Sequence, residues 1–553
     1  MYGEPLQVVF FVGLMGLIAS GLFLCRYTTK YIVLSIVGLF LLTIYLYYSF
    51  SVDFVDWDKT AVLIPLVIII FFFSSLYMLI RCGIYLRAKK LMAANNGQTV
   101  NFLVKDFSFK DGIHRFLKWS TRKENMIIFA LVLIVFTVHL FYINTPPYKI
   151  GDEPSYVGEA NRILSGQPMW FLEHPPLGKL FIAGGIFLFG DNAVGWRIFP
   201  VLFGVASIFI FYLLCTQLIK NSRENLNNPE VANTKWSKPA VFIPVMSTFL
   251  FAFENLSFVM AHMAMLDVFY VTFMLLGFLF YLKQRFVLCG IAMGLSLLCK
   301  ETAVFGCIVI FLHWTITRHN EIIEDIKYTW HTLNSRKIPE YKKSVILNIS
   351  QVPLIIGAIW VLLLPPMEWA KTPLWGNIFT RTWYIVWKNL TYSGTGQGNG
   401  LLVPTHTWEL FFRQQLQNFN TKSSIPHYFN AISFSIWILL IPVTVYLAIQ
   451  AYNDLKHHRN NSIAVFAFCW FVLIYGLFII IDVLINRPMY LFYFYPAVPA
   501  VCLTIALGSW KLWGIARRRR VTKVAFLTIL SLYLVGTLVC FFIMSPLGSN
   551  LIK

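Results

Sequence analysis

Apolar runs long enough to cross a bilayer recur from one end of this chain to the other, separated by short polar stretches. They fall at 8–25, 31–50, 61–80, 126–143, 194–219, 240–254, 264–282, 286–299, 302–317, 345–364, 429–450, 462–484, 490–513 and 524–544. Segments of strictly alternating polarity, the signature of an outer-membrane barrel, are absent. The pattern predicts an all-α polytopic membrane protein, a helical bundle of about eleven core spans preceded by a group of about three. A shorter apolar stretch, Pro175 to Phe189, is too brief and too rich in glycine to cross and reads as a helix lying at the interface.

Composition agrees with the pattern. Of 553 residues, 58% are hydrophobic and 13% charged, about half the charged fraction of an ordinary soluble chain; mean hydropathy is +0.67. The net charge of +20 invites a nucleic-acid reading, but the basic residues sit in alternate loops, which is a topology signal. Arg81 to Lys123 carries ten Lys and Arg, and Arg517 to Arg520 lies between two spans. Loops 81–123, 220–239, 318–344 and 451–461 are therefore expected on the cytoplasmic side, where they would also meet anionic lipid. Loops 144–193 and 365–428 are then external.

The same reading divides the chain into an N-terminal extension over 1–86, a basic linker over 87–123 and a main membrane domain over 124–553. It expects a multi-pass protein of the cell membrane. The nine cysteines are scattered through apolar spans without a Cys-x-x-Cys pair and read as small buried residues. The N-terminus lacks a basic leader region, so the first run reads as a retained span.

Parity then gathers a polar set on the external face: Asp152, Glu153, Glu173, His174, Lys179 and Arg197, with His262 and Asp267 around a turn at 254–263, Lys300 and Glu301 at the end of a short span, and Arg487 in a tight turn. Carboxylates and cations collected at one membrane face suit an anionic, membrane-bound substrate. Each residue also has a plainer reading. Asp152-Glu153-Pro154-Ser155 suits a helix start, and a carboxylate there serves as a cap as readily as in catalysis. Glu173-His174 is an ordinary polar loop if taken alone, and a metal site built from it and His262 would be short of ligands. Arg197, Lys300 and Arg487 could each snorkel, although three external cations run against the positive-inside bias. Asp267 reads equally as a paired structural acid.

Other motifs carry less. Asp56-Trp57-Asp58 imitates the Asp-x-Asp of soluble glycosyltransferases but sits in a short interhelical loop. Asn389-Leu390-Thr391 is a glycosylation triplet of a kind that arises by chance. Gly394 to Gly398 lacks the Lys-Ser/Thr of a phosphate loop and reads as a flexible external segment. The aromatic run Tyr490 to Tyr495 reads as interfacial belt and packing.

The 150–210 stretch resembles the protein O-mannosyltransferases, membrane enzymes of the GT-C fold. The resemblance rests on Asp152-Glu153, on His174-Pro175-Pro176-Leu177-Gly178-Lys179 and on Arg197 within Trp-Arg-Ile-Phe-Pro. It continues through Ala264 to Asp267, Leu297 to Thr302 and Tyr490 to Pro496, covering 123–553. The first three spans lie outside it. Residues 365–428 are too few for the β-trefoil domain of eukaryotic members, which points to a prokaryotic, archaeal type. Ala261-His262-Met263 replaces the usual Arg-Phe before Leu-Asp, so that arginine's role does not carry over.

The resemblance implies an inverting transfer of a sugar, mannose, from a polyprenyl-phosphate donor to an acceptor hydroxyl of a protein or glycan. Asp152 would be the general base, worth roughly 10²–10⁴-fold, with Glu153 orienting it or the acceptor. Arg197, Lys300 and Arg487 would hold the donor phosphate, whose negative charge grows as it leaves. Glu173, His174, Lys179, His262, Asp267 and Glu301 remain further site candidates. The scheme requires no cofactor; a divalent metal is a lesser alternative. Partners are the lipid-linked donor, the acceptor and membrane lipid, and not nucleic acid. Two alternatives stay open: transfer to a glycolipid or lipid phosphate, and an anionic-lipid flippase, which would be expected to have internal repeats.

Overall fold

The computed structural model describes residues 119–167, 169–222, 239–334, 344–369, 378–391, 406–414, 417–418, 429–485 and 490–547. The three N-terminal spans, most of the basic linker, the 394–398 glycines and Arg487 lie outside the described residues. The chain divides into two compact units, one comprising Arg115–Thr317 with Trp387–Lys553, the other having Arg318–Val386 as its described part.

The first unit is a bundle of helices. α1 (Lys123–Tyr142) leads to α2 (Glu153–Leu164) and α3 (Leu177–Phe189), then to the long α4 (Ala193–Asn221). α5 (Pro239–Ala252) and α6 (Asn255–His262) are followed by the antiparallel pair α7 (Asp267–Leu282) and α8 (Phe286–Cys299). α9 (Val304–Asn334) begins in this unit. Among the described residues six helices are long and apolar enough to cross a membrane, or seven if α5 and α6 are one bent span. The chain is a multi-pass membrane protein. α7 and α8 are apolar but short, about 24 and 21 Å by helical rise, so their ends bring Asp267 and Lys300 to one level.

Local chemistry explains these boundaries. α5 and α6 meet at 59°, and Glu254 fills the break. Its buried carboxylate accepts from the backbone N–H groups of Leu256, Ser257 and Ser433 and from the Ser257 hydroxyl. The external turn expected over 254–263 is therefore a helix capped by Glu254. α4 starts where Asn192 accepts from Val194 and Gly195, an ordinary N-cap. Gly185 and Gly195 let α3 lie against α4: a Cβ on Gly185 would collide with the Gly195 carbonyl oxygen.

Among the described residues the remaining helices of this unit are α12 (Phe434–Trp437), α13 (Leu440–Lys456), α14 (Ile463–Phe471), α15 (Leu477–Ile485), α16 (Val498–Ala516) and α17 (Arg520–Met544). A π-helical turn, Val472–Gly476, joins α14 to α15, and the 3-10 stretch Leu491–Ala497 leads into α16. Among the described residues a single short ladder pairs Gln417–Asn418 with Phe429–Asn430. In the other unit α9 runs on to Asn334 and is followed by α10 (Val345–Trp369) and α11 (Ile378–Thr391). The loop expected over 318–344 is thus helical for its first half, because charged residues end a membrane span without ending a helix. Asp325 ties α9 to the start of α10 through the Ser344 hydroxyl and the Ile346 N–H.

Candidate active site

Gly151, at φ +54°, turns the chain into α2 in a conformation that costs other residues more, and Pro154 fixes the first helical turn. The two adjacent carboxylates then go to different places. Glu153 is fully buried and takes two bonds of 2.9 Å from Arg197, Nε to Oε1 and Nη2 to Oε2. It also accepts from the N–H groups of Ile150 and Ala264. Arg197 spends its other donors on the carbonyls of Ile143, Pro146 and Tyr148. These five bonds use all five guanidinium N–H groups, and the side chain has no exposed surface. The expected role of Arg197 as a phosphate ligand does not fit this geometry, nor does contact of Glu153 with an acceptor. The pair instead pins the loop before α2 to α4 and to the 263–267 turn.

Two further candidates belong to the same framework. Lys179 is buried and donates to the carbonyl oxygens of Phe171 and His174. It ties the loop to the helix that follows it. Gly178 makes room: a Cβ there would press on Leu266 at 2.8 Å. The His-Pro-Pro-Leu-Gly-Lys segment is therefore a device for seating α3 and presenting His174. His262 is buried, with Nε2 on the Tyr142 carbonyl oxygen and Nδ1 3.2 Å from Nδ1 of His139. It stacks with Phe258 and His139, which leaves it a packing role.

The other candidates meet around Asp152. Its carboxylate makes no capping bond and accepts no hydrogen bond from a described residue. Lys300, at the end of α8, donates to both oxygens of Asp267 at the start of α7, each at 2.9 Å. Its ammonium lies over Phe492 and Tyr493, 5.0 and 5.7 Å from the ring centroids. His174 meets Glu301 at 2.9 Å, and Tyr156 lies 6.2 Å, ring to ring, from His174. Glu173 is half-buried in the same loop. Among the described residues no three His, Cys, Asp or Glu side chains group as metal ligands.

The charges act on one another. Burial pushes the Asp152 carboxyl up; Lys300 and His174 oppose that and Asp267 adds to it, for a net rise. Burial disfavours the Lys300 ammonium, but Asp267, Tyr493 and Glu301 outweigh it and hold it above its ordinary value. Burial would likewise raise Glu301, but His174 and Lys300 prevail and keep it ionised below the usual carboxylate range. The result is one uncommitted carboxylate of increased basicity beside the Lys300–Asp267 ion pair and the hydrogen-bonded His174–Glu301 pair.

Sequence reasoning missed two neighbours. Tyr156 stands four residues after Asp152, a spacing that puts both on one helix face and would have found it. Tyr493 lies in the aromatic run read as interfacial belt and packing; Leu491–Ala497 is buried, and Phe492 and Tyr493 pack on Lys300.

With the fold and the cluster in place, relatives become informative. The Saccharomyces cerevisiae protein O-mannosyltransferase complex Pmt1-Pmt2, in a structure bound to the sugar donor, superposes with a TM-score of 0.57 at 10% identity, covering 78% of this chain and 90% of that one. The fold is that of a protein O-mannosyltransferase, the GT-C fold. In sequence, the polyprenol-phosphate-mannose–protein mannosyltransferase of Mycolicibacterium smegmatis is 29% identical over 166 residues in each of two strains. That match spans 29% of this chain and 28% of the relative's length. ArnT from Cupriavidus metallidurans in the apo state gives a TM-score of 0.44 at 15% identity, over 76% of each chain, too low to bear on the fold. No family model matches the chain. The resemblance first read in the sequence to the protein O-mannosyltransferases thus recurs in a matching relative and in the fold.

Proposed function

We propose that this protein is an inverting membrane glycosyltransferase that moves a sugar, mannose, from a polyprenyl-phosphate donor to a hydroxyl of a protein or glycan on the external face. Asp152 supports this reading most directly: a carboxylate with raised basicity, bonded to no described residue, within the field of the Lys300–Asp267 and His174–Glu301 pairs. It takes the proton of the acceptor hydroxyl as the oxygen attacks the anomeric carbon. The bond to the lipid phosphate breaks, and the phosphate leaves with the electron pair. The ammonium of Lys300 has a third N–H beyond the two given to Asp267, and its charge favours the departing phosphate. Arg487, outside the described residues, is the other cation proposed for it. A lipid-linked donor suits an external site because nucleotide sugars are not supplied there. The relatives' names point the same way, naming polyprenol-phosphate-mannose and a bound sugar donor.

Detergent-solubilised protein is expected to release label from polyprenyl-phosphate mannose into an acceptor hydroxyl of a native extract. Release into lipid phosphate instead would move the acceptor to a glycolipid. Absence of any release, with labelled lipid crossing reconstituted vesicles, would make it a flippase.

A further inference from the structure

Tyr156 shares the inner face of α2 with Asp152, one turn on, with Cβ atoms about 6 Å apart. Its ring is 6% exposed and tilted against His174. Its hydroxyl bonds to no described residue and is not sealed off. Buried tyrosines ordinarily give their hydroxyl a partner. Here the ring is held and the hydroxyl opens where the charges of Asp152, Asp267 and Glu301 all reach it. Burial first, then those three carboxylates, hold the phenol well above its ordinary value, so it remains a donor at any working pH.

A sugar ring presents hydroxyls that both give and accept hydrogen bonds. Ionised carboxylates only accept, and the Lys300 ammonium is largely taken by Asp267. The Tyr156 phenol, which bonds to no described residue, is a neutral donor in this cluster. With the donor phosphate drawn to the Lys300 ammonium, an uncharged sugar hydroxyl is the fitting partner for the phenol.

We propose that Tyr156 donates a hydrogen bond to one hydroxyl of the donor sugar and so helps to select which sugar the site accepts. This inference rests on the transferase reading of the same site. The test compares the intact wild-type protein with Tyr156→Phe, using polyprenyl-phosphate mannose and its monodeoxy analogues, one for each hydroxyl. For mannose itself, Tyr156→Phe should lower kcat/KM roughly three- to tenfold, the worth of one neutral hydrogen bond. For one analogue, the two proteins should have equal kcat/KM, because the bond is already missing. No loss with mannose, or the same loss with every analogue, would overturn the assignment. Should Tyr156→Phe fail to fold, the wild-type protein alone decides: indifference to every deoxy position would also overturn it. A wild-type protein that uses none of these donors removes the transferase reading and this inference with it, an outcome distinct from the others.

Discussion

Glu153 and Arg197 face each other through two parallel bonds of 2.9 Å, 44 residues apart in the chain and with neither side chain exposed. Breaking such a pair leaves a buried charge, at a cost of about 3–5 kcal/mol. Glu153→Gln and Arg197→Lys are therefore expected to lower the thermal midpoint in detergent sharply, since a point charge cannot replace the planar fork. A well-folded Arg197→Lys protein with weakened donor binding would restore the phosphate role that the geometry argues against.

Asp152→Asn is expected to keep the fold, because the side chain makes no capping bond, while transfer falls at least about 10²-fold. Donor binding by the variant, measured with the labelled lipid, should persist. Near-normal turnover would remove the base from the mechanism, or point to an acceptor already ionised, such as a lipid phosphate.

The raised Asp152 carboxyl sets an acid limb in the pH profile. Protonation inactivates a base, so transfer should decline as pH falls through a value above the ordinary 3.8. Lys300 lowers that value more than Asp267 raises it. The double variant Lys300→Met with Asp267→Asn removes both charges without stranding either, and should move the limb to higher pH. An unmoved limb would mean that another group titrates.

Glycine contacts make a separate test of the packing. Gly195→Ala would drive a Cβ into the Gly190 carbonyl oxygen; overpacking of this kind costs about 1–3 kcal/mol or more. Gly158, on α2, has nothing within 4 Å of where an added methyl would lie, so Gly158→Ala should be neutral or stabilise by up to about 1 kcal/mol. Thermal midpoints of the two variants check the difference.

The sequence by itself determined the class, the short helix read over 175–189, and the gathering of Asp152, His174, Asp267, Lys300 and Glu301 at one level. Hydrophobic run length and loop charge are local properties, and a span's direction follows from counting. What each polar side chain does there was decided only by the tertiary structure. Adjacent residues at a helix start point to different environments, so Asp152 and Glu153, alike in the chain, separate into an uncommitted carboxylate and one locked to Arg197. Lys179 and Arg197 look like ligand cations when charge alone is counted. Burial makes them structural, because a cation removed from water must spend its donors on nearby carbonyls and carboxylates. Tyr156 and Tyr493 acquire their place at the site from chain segments more than 330 residues apart that meet only in the folded bundle.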